Sequence, residues 1–132
     1  MKLITRDTDY AVRALCCIAK QKEKIVSVSE LVKALKIPRP FLRKILQILS
    51  KKDLIRSYKG KGGGFALLVG PEKISLAGIV AIFQGPVMFN DHTFKKKKCP
   101  NVKCCNIKEK IDCIEKYVIS ELNAINIASF IK

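Results

Sequence analysis

Residues 35–64, LKIPRPFLRKILQILSKKDLIRSYKGKGGG, decide the fold of this chain. Within them, apolar side chains recur at i, i+3, i+4 and i+7, the spacing of one buried face of an α-helix. These side chains are Leu42, Ile45, Leu46 and Leu49, while Arg39, Arg43 and Gln47 share the opposite face. The pattern predicts a helix that buries one side in its own domain. Its basic side would face either an anion such as the DNA major groove or, in the simpler interpretation, solvent.

A second, shorter helix is predicted just upstream. Ser27 and Glu30 have the three-residue spacing of a capping box and precede an apolar run that ends near Lys36. Pro38 and Pro40 follow, and proline is tolerated in the first turn of a helix because that amide has no intrahelical partner. Two helices joined by so tight a turn form a helix-turn-helix.

A β-hairpin is predicted downstream of this helix pair. Residues 54–58 and 65–69 are short apolar runs on either side of a glycine-rich tip that contains Lys59 and Lys61. The tip is either a simple turn or a place where the backbone approaches a phosphate while the lysines supply charge, and the two lysines favour phosphate. It is not a P-loop, since Phe65 and Ala66 follow the glycines in place of the lysine and hydroxyl residue of that motif.

Three further helices are predicted outside this stretch. The first runs from about Asp9 to Gln21, with Cys16 and Cys17 expected to pack in the core. Another begins after Ser75, stops at residues 84–86 and is expected to pack beneath the helix-turn-helix.

The third of these helices covers residues 106–122 and carries a wide apolar face. That face contains Ile107, Ile111, Ile114, Val118 and Leu122, extended by Tyr117, Ile119 and Ile125. It is broader than a small domain needs for its own core. We therefore expect a dimerisation helix, which suits two-fold DNA sites, in preference to a helix that packs back onto the first one.

Charge and length narrow the functional class. The 132 residues suffice for one domain and carry a net charge of +15, of which residues 1–70 contribute +11. A charge of this size favours a polyanionic partner, either nucleic acid or an anionic membrane surface. No apolar run is long enough for a bilayer, and the first residues lack the features of a secretory signal, so a soluble cytoplasmic protein is expected. One histidine and few acidic residues argue against an enzyme.

Four cysteines follow the helix at residues 75–86, three in the loop before the helix at 106–122 and one within that helix. Cys99, Cys104, Cys105 and Cys113, with His92 upstream, are the candidate metal or cluster ligands, because the cytosol keeps thiols reduced. Cys99 and Cys105 can reach one iron-sulphur centre from a loop, and His92 could supply a nitrogen ligand. Cys113 lies about 12 Å further along the helix axis than Cys105, so it is expected to be packed or inter-subunit rather than a ligand. The lysines at 95–98 favour thiolates here, contact DNA or are simply solvated.

Taken together, several motifs resemble the Rrf-type (IscR/NsrR/CymR-like) family of bacterial winged-helix regulators. They are the opening MKL with TDYAVRAL at residues 8–15, the helix at 37–49, the GKGGGF wing at 60–65, the loop cysteines and the closing NIASF at 126–130. The resemblance implies a homodimer that binds a double-stranded DNA operator. By position, the family's DNA-reading residues correspond to Arg39, Pro40, Phe41, Arg43 and Lys44 on the helix and to Lys59, Gly60 and Lys61 on the wing.

The resemblance also implies a sensory loop. Cys99 and Cys105 match the last two of the three loop cysteines in cluster-bearing members, whereas His92, Thr93 and Phe94 stand near the position of the first. His92, Cys104 or Asp9 would complete the ligand set of an iron-sulphur cluster, expected to be [2Fe-2S]. Asp9 is included because, in some members of the family, a carboxylate in the corresponding N-terminal motif ligates the cluster of the other subunit.

The sequence therefore predicts a mainly α fold with a small β-hairpin wing and a long C-terminal dimerisation helix. Residues 1–84 would form the DNA-binding domain, 85–105 the sensor loop and 106–132 the dimerisation segment. The expected function is a repressor controlled by an iron-sulphur cluster or thiol redox state, with no membrane and no small-molecule substrate. The alternatives are a cluster-free regulator controlled by a partner protein or thiol oxidation, and a small basic redox or metal carrier.

Overall fold

The computed structural model describes residues 2–21, 24–89 and 106–131. Its helices are α1 (Arg6–Lys20), α2 (Val28–Leu35), α3 (Arg39–Lys51), α4 (Leu76–Gln84) and α5 (Asn106–Ala124), and its strands are β1 (Ile55–Tyr58) and β2 (Gly64–Leu67). Short 3₁₀ helices cover Pro71–Lys73 and Ile127–Phe130. None of the helices in these described ranges has the length and apolar content needed to span a membrane.

The helix pair α2 and α3 is the predicted helix-turn-helix. The Ser27 hydroxyl accepts from the Glu30 amide at 3.1 Å, and the Glu30 carboxylate accepts from the Ser27 amide at 3.4 Å, which confirms the capping box. Lys36, at φ 57°, ends α2 in the left-handed region, and Pro40 lies in the first turn of α3. The four apolar residues predicted to face inward from α3 are all buried.

The two strands pair antiparallel and form the predicted wing. Ile55 pairs with Leu67 and Tyr58 with Gly64, so the tip contains residues 59–63. Val26, just before α2, adds a bridge to this hairpin: its amide donates to the Phe65 carbonyl at 2.9 Å, and the Phe65 amide donates back at 2.8 Å. The wing is therefore attached to the start of the helix-turn-helix as well as to the end of α3.

The first helix begins three residues earlier than the predicted start at Asp9. Thr5 is its N-cap and its side chain accepts from the Thr8 amide, so Thr8 and Asp9 lie inside the first turn. The sequence offers several polar residues here that could cap a helix. Thr5 rather than Thr8 is the N-cap, because Thr8 is fully buried and its hydroxyl donates to Gln84 of α4.

The fourth helix and the C-terminal segment pack against each other and against α1. Ser75 caps α4 by accepting from the Gly78 amide at 3.0 Å, as predicted. The helix packs against α1 and α5, so it reaches the helix-turn-helix through α1. The segment after α5 packs against the start of α4. The Leu76 amide donates to the Ile125 carbonyl at 2.8 Å, and the Ile127 amide donates to the Ile74 carbonyl at 2.9 Å.

One apolar core joins α1, α2, α3, the wing, α4 and the C-terminal segment. Leu15, Leu31, Leu46, Ile55 and Ile127 are among its fully buried members. Cys16 and Cys17 lie at its edge and are only partly buried, so the prediction that they pack in the core is correct in location but overstates their burial.

The long helix α5 leaves much of its apolar face uncovered. Ile107, Ile114 and Tyr117 are 75%, 53% and 67% exposed, whereas Leu122 near the C-terminal end is buried. Cys113 is exposed as well, so of its two expected places, packed within the subunit or between subunits, the structure excludes the first. Only the C-terminal part of α5 lies against α4, because α4 has nine residues and α5 has 19.

Candidate nucleic-acid interface

The outer face of α3 carries the predicted DNA-reading residues, and all of them are accessible. Arg39, Pro40, Arg43, Lys44 and Gln47 are exposed, and Phe41 is 42% exposed although it is aromatic. Their exposure follows from the burial of the opposite stripe, because a 3.6-residue period leaves these positions on the solvent side.

Arg39 connects the two helices of the helix-turn-helix. Its Nη2 atom donates to the Ser29 hydroxyl of α2 at 2.9 Å. The guanidinium is thereby oriented at the point where α3 begins, and its other N–H groups remain available to an acceptor. A recognition helix enters the major groove by its N-terminal end, so this is where an oriented donor is most useful.

The helix and the wing border one groove. A concavity of about 590 Å³ lies between them and is lined by side chains from the start of α2, from α3 and from both strands: Val28, Arg43, Gln47, Ser50, Lys51, Ser57, Lys59 and Phe65. Three of these are cationic, and the others that face the groove from α3 and β1 are amide or hydroxyl groups. The structure thus places predicted reading residues of helix and wing on one basic surface.

The wing tip is a tight glycine turn. The Gly63 amide donates to the Gly60 carbonyl at 3.0 Å, and Gly60 and Gly62 have φ values of 93° and 79°, which side chains other than glycine rarely adopt. Lys59 and Lys61 alternate with these glycines and are exposed. A tip without side chains at Gly60 and Gly62 lets its backbone and the two ammonium groups approach a phosphate together.

One cation near the start of α3, Arg6, was not predicted. The Arg6 guanidinium of α1 lies 4.7 Å from the centroid of the Phe41 ring and 6.0 Å from that of Tyr10. Arg6 has no periodic or motif signal of its own, and it is 35 positions from Phe41 in the sequence. Only the packing of α1 against α3 brings the two together.

The candidate cluster ligands fall largely outside the described residues. Cys99, Cys104, Cys105 and His92 all lie in the range 90–105, so their arrangement stays a prediction. Of the less favoured candidates, Asp9 accepts from Arg13 Nε at 2.9 Å on α1, and Cys113 is exposed on α5. Within the described ranges no three histidine, cysteine or acidic side chains come together as a metal site.

The two remaining cysteines are poor candidates for redox chemistry. Burial raises the pKa of Cys16 and of Cys17, with the ammonium of Lys20 opposing the shift in both. A raised pKa keeps a thiol protonated, and the thiolate is the reactive form. Their place at the edge of the core agrees with a packing role.

Comparison with known proteins connects this arrangement to one family. A family model described as Rrf2, iron-dependent transcriptional regulator, matches residues 4–132. A protein of Aquifex aeolicus named as an HTH-type transcriptional regulator is 38% identical over 90 residues, 68% of this chain and 62% of that relative. The transcriptional regulator NsrR of Halalkalibacterium halodurans is 36% identical over 78 residues, 58% of this chain and 53% of the relative. The matches thus span less than two thirds of these relatives.

Solved structures confirm the fold. IscR of T. potens superposes with a TM-score of 0.76 at 21% identity, covering 98% of this chain and 85% of that one. CymR of B. subtilis, the global cysteine regulator, also gives 0.76 at 19% identity, covering 98% and 96%. The family and these relatives are transcriptional regulators, in agreement with the expectation that this chain is not an enzyme. The chain belongs to the Rrf2 family of transcriptional regulators.

Proposed function

We propose that this protein is a cytoplasmic, homodimeric repressor that binds a double-stranded DNA operator through α3 and the wing. The observation that carries the proposal is the shared basic groove, in which Arg43 and Lys51 of α3 face Lys59 of the wing. Helix side chains suit the base edges of the major groove, and wing lysines suit the phosphates beside it. Arg39, Pro40, Phe41 and Lys44 extend this surface at the start of α3, and Gly60 and Lys61 extend it at the wing tip.

The charge distribution predicts how such binding depends on salt. Each phosphate neutralised by a lysine or arginine contributes about −0.9 to the slope of log affinity against log salt. A dimer with several contacts in each subunit would lose about 10³- to 10⁵-fold in affinity between about 50 and 200 mM salt. Contacts to base edges, in contrast, would appear as a preference for one sequence at any salt concentration.

The experiment uses fluorescence anisotropy with two duplexes of equal length. One covers the promoter of the protein's own transcription unit and the other is its scrambled sequence. Arg39→Ala and Arg43→Ala should reduce the preference for the promoter, whereas Lys59→Ala should weaken both duplexes alike and make the salt slope shallower. Lys73→Ala, at an exposed position of the 3₁₀ helix Pro71–Lys73, which packs on the 3₁₀ helix Ile127–Phe130, removes the same charge and is the control.

Wild-type binding without any preference for the promoter would favour the basic redox or metal carrier. If all three interface variants bound like wild type, the assignment of the interface would be wrong.

Dimerisation is proposed from the uncovered face of α5. Ile107, Ile114 and Tyr117 place a row of large apolar side chains in solvent in the single chain. Apolar surface of this kind marks an interaction site, and a second copy provides a face that is self-complementary about a two-fold axis. Two copies would also present two recognition helices to a two-fold operator.

Control of operator affinity is proposed to lie in residues 85–105. The thiols of Cys99, Cys104 and Cys105 and the imidazole of His92 are a suitable donor set for a [2Fe-2S] cluster, and the matching family is described as iron-dependent. Such a cluster would supply a redox-sensitive or nitric-oxide-sensitive state. Asp9 would have to leave Arg13 to act as a further ligand.

A route from this loop to the recognition helix is available in the described residues. The loop follows Gln84 directly, and the Gln84 side chain bonds Thr5, Thr8 and Leu3 at the start of α1. Arg6, next to Thr5, contacts Phe41 of α3. A change that moved Gln84 would therefore displace the α1 residues that lie against the start of α3.

A cluster-free regulator is the second candidate, and one observation favours it. Thr93 stands between His92 and Phe94, where the family's cluster-bearing members have their first loop cysteine, so the thiol ligand set is incomplete. Iron and sulphide analysis after anaerobic purification separates the candidates. Near-stoichiometric iron and sulphide support the cluster, and colourless protein that still prefers its promoter supports control by thiol oxidation or a partner protein.

A further inference from the structure

Arg6 lies at the edge of the proposed DNA-binding surface although it belongs to another element. It is the first residue of α1, and its guanidinium is held 4.7 Å from the ring centroid of Phe41, the third residue of α3. The nearest carboxylate oxygen in the described residues belongs to Asp7, at 3.8 Å from Arg6 Nε. The two groups form an exposed ion pair that is too long for a hydrogen bond, so the guanidinium N–H groups remain available to another acceptor.

Helix stability does not explain an arginine at this position. The start of a helix carries a partial positive charge, so a cation there is unfavourable. The cation–π contact with Phe41 is exposed and is of comparable size and opposite sign. The two effects are of similar size, so helix stability gives no clear preference for arginine at this position.

The contact with the Phe41 ring leaves the guanidinium of Arg6 able to bind a phosphate. The central carbon of the Arg6 guanidinium lies over the Phe41 ring, and the Arg6 side chain is still 62% exposed. A planar donor group with a free edge matches the oxygens of a phosphate, and less freedom is lost on binding when stacking already restricts it.

The backbone that carries Arg6 is also fixed. The Thr5 amide donates to Gln84 Oε1 at 3.0 Å, and the Thr8 hydroxyl donates to the same oxygen at 2.6 Å. Arg6 lies between these two anchored residues, so its position relative to α4 is defined before any ligand arrives.

We propose that Arg6 contacts a backbone phosphate at the edge of the groove that α3 enters, and that Phe41 is the positioning residue that holds its guanidinium. The proposal rests on the proposed function, because it assumes that the start of α3 enters the major groove. Residues beside that entry point face the sugar-phosphate backbone rather than base edges. Arg6 extends the proposed DNA-binding surface from α3 and the wing to α1.

The first test measures salt dependence with the promoter and scrambled duplexes. Arg6→Ala should weaken both duplexes alike and make the slope shallower by about 0.9 for each lost contact, or about 1.8 for a dimer. Arg6→Lys keeps the charge without the planar stack, so it should keep the slope and bind with intermediate affinity. Lys73→Ala is the matched loss of one positive charge and should leave the slope unchanged.

The second test asks whether Phe41 acts through Arg6. Phe41→Leu keeps an apolar side chain but removes the ring, and it should lower affinity in the wild-type background and have little further effect in Arg6→Ala. Thermal unfolding of each variant verifies that the domain is intact.

Three results have distinct meanings. If wild-type protein binds neither duplex, the proposed function itself fails. If wild type binds, Arg43→Ala weakens binding and Arg6→Ala behaves like Lys73→Ala, the phosphate contact is refuted while the function stands. If Phe41→Leu weakens Arg6→Ala as strongly as it weakens wild type, Phe41 does not act through Arg6.

Discussion

The Thr8 hydroxyl donates a hydrogen bond of 2.6 Å to Gln84 Oε1 and joins the first turn of α1 to the last residue of α4. The same oxygen accepts from the Thr5 amide at 3.0 Å, and Gln84 Nε2 donates to the Leu3 carbonyl at 3.0 Å. Thr8 is fully buried, so its hydroxyl needs a partner inside the protein. One glutamine thus links three positions at the N-terminus to the residue that precedes the predicted sensor loop.

Removing this link should destabilise the domain. Gln84→Ala removes the acceptor of a buried hydroxyl, so the free energy of unfolding should fall by about 1–3 kcal/mol. Urea denaturation measures the change, with an unaltered m-value indicating that the compactness of the unfolded state is the same. Gln47→Ala on the exposed face of α3 is the control and should change stability by no more than about 0.5 kcal/mol.

A double substitution tests whether the two side chains act as a pair. Thr8→Val combined with Gln84→Leu removes donor and acceptor together, so it should cost less than the sum of the single changes. Strict additivity would contradict a direct contribution from this hydrogen bond.

Gly64 of the wing should not tolerate a side chain. A Cβ atom at this position would collide with the Val26 carbonyl oxygen and lie 2.6 Å from its carbon, which would push apart the bridge between Val26 and Phe65. Gly64→Ala should therefore detach the wing from the helix-turn-helix, lower stability by about 1–3 kcal/mol and weaken DNA binding. Thermal unfolding and anisotropy measure the two effects.

Gly62→Ala is the matched comparison. Its Cβ would meet nothing within 4 Å, but its φ of 79° is strained for alanine, at a cost of about 1–2 kcal/mol confined to the tip. Its melting temperature should fall less than that of Gly64→Ala if the collision dominates. Equal losses in both variants would mean that backbone strain alone limits substitution here.

The helices were predictable where the signal is local. The capping box of Ser27 and Glu30, the buried stripe of α3 and the cap at Ser75 depend on residues three to seven positions apart, and the structure confirms each of them. The start of α1 was wrong because the choice of Thr5 over a later cap depends on Gln84, which is 79 positions away.

The candidate site was predictable in part for the same reason. The sequence identifies Arg43 on the basic face of α3 and Lys59 of the wing, and the structure brings these two side chains to one groove. The contact of Arg6 with Phe41 has no local pattern and follows from the packing of α1 on α3. Whether Cys113 is packed or exposed in the single chain could not be predicted, because helical periodicity does not reveal how much of α5 the chain's own domain can cover.

The uncovered face of α5 should hold two copies together. Ile114→Glu introduces a charge at a side chain that is 53% exposed in the single chain, so it should leave the fold intact. Burying an unpaired carboxylate in a subunit interface is costly, so the dimer should dissociate. Light scattering after gel filtration should give twice 14.8 kDa for wild type and 14.8 kDa for the variant.

Lys116→Glu is the control for that change, since it introduces the same residue at an exposed position of α5 that is already polar. It should remain dimeric, and a dimeric Ile114→Glu would refute α5 as the interface.

The thiols outside the predicted sensor loop should differ in reactivity. In a variant with the three loop cysteines replaced by serine and Ile114 by glutamate, iodoacetamide should modify Cys113 before Cys16 and Cys17, as followed by peptide mass spectrometry. Cys113 is exposed, whereas burial raises the pKa of the other two and keeps them protonated. Unfolding in denaturant should remove the difference, and early modification of Cys16 or Cys17 in the folded protein would contradict their burial.

The same raised pKa values fix the sign of a pH effect on stability. The unfolded chain releases these two thiol protons at lower pH than the folded chain does, so the folded state binds more protons in that range. Their contribution to stability is fully present below about pH 8.5 and is lost as the pH rises above it. Urea denaturation across this range should show a decline that is shallower in Cys16→Ala/Cys17→Ala, and an equally steep decline in that variant would assign the effect to other groups.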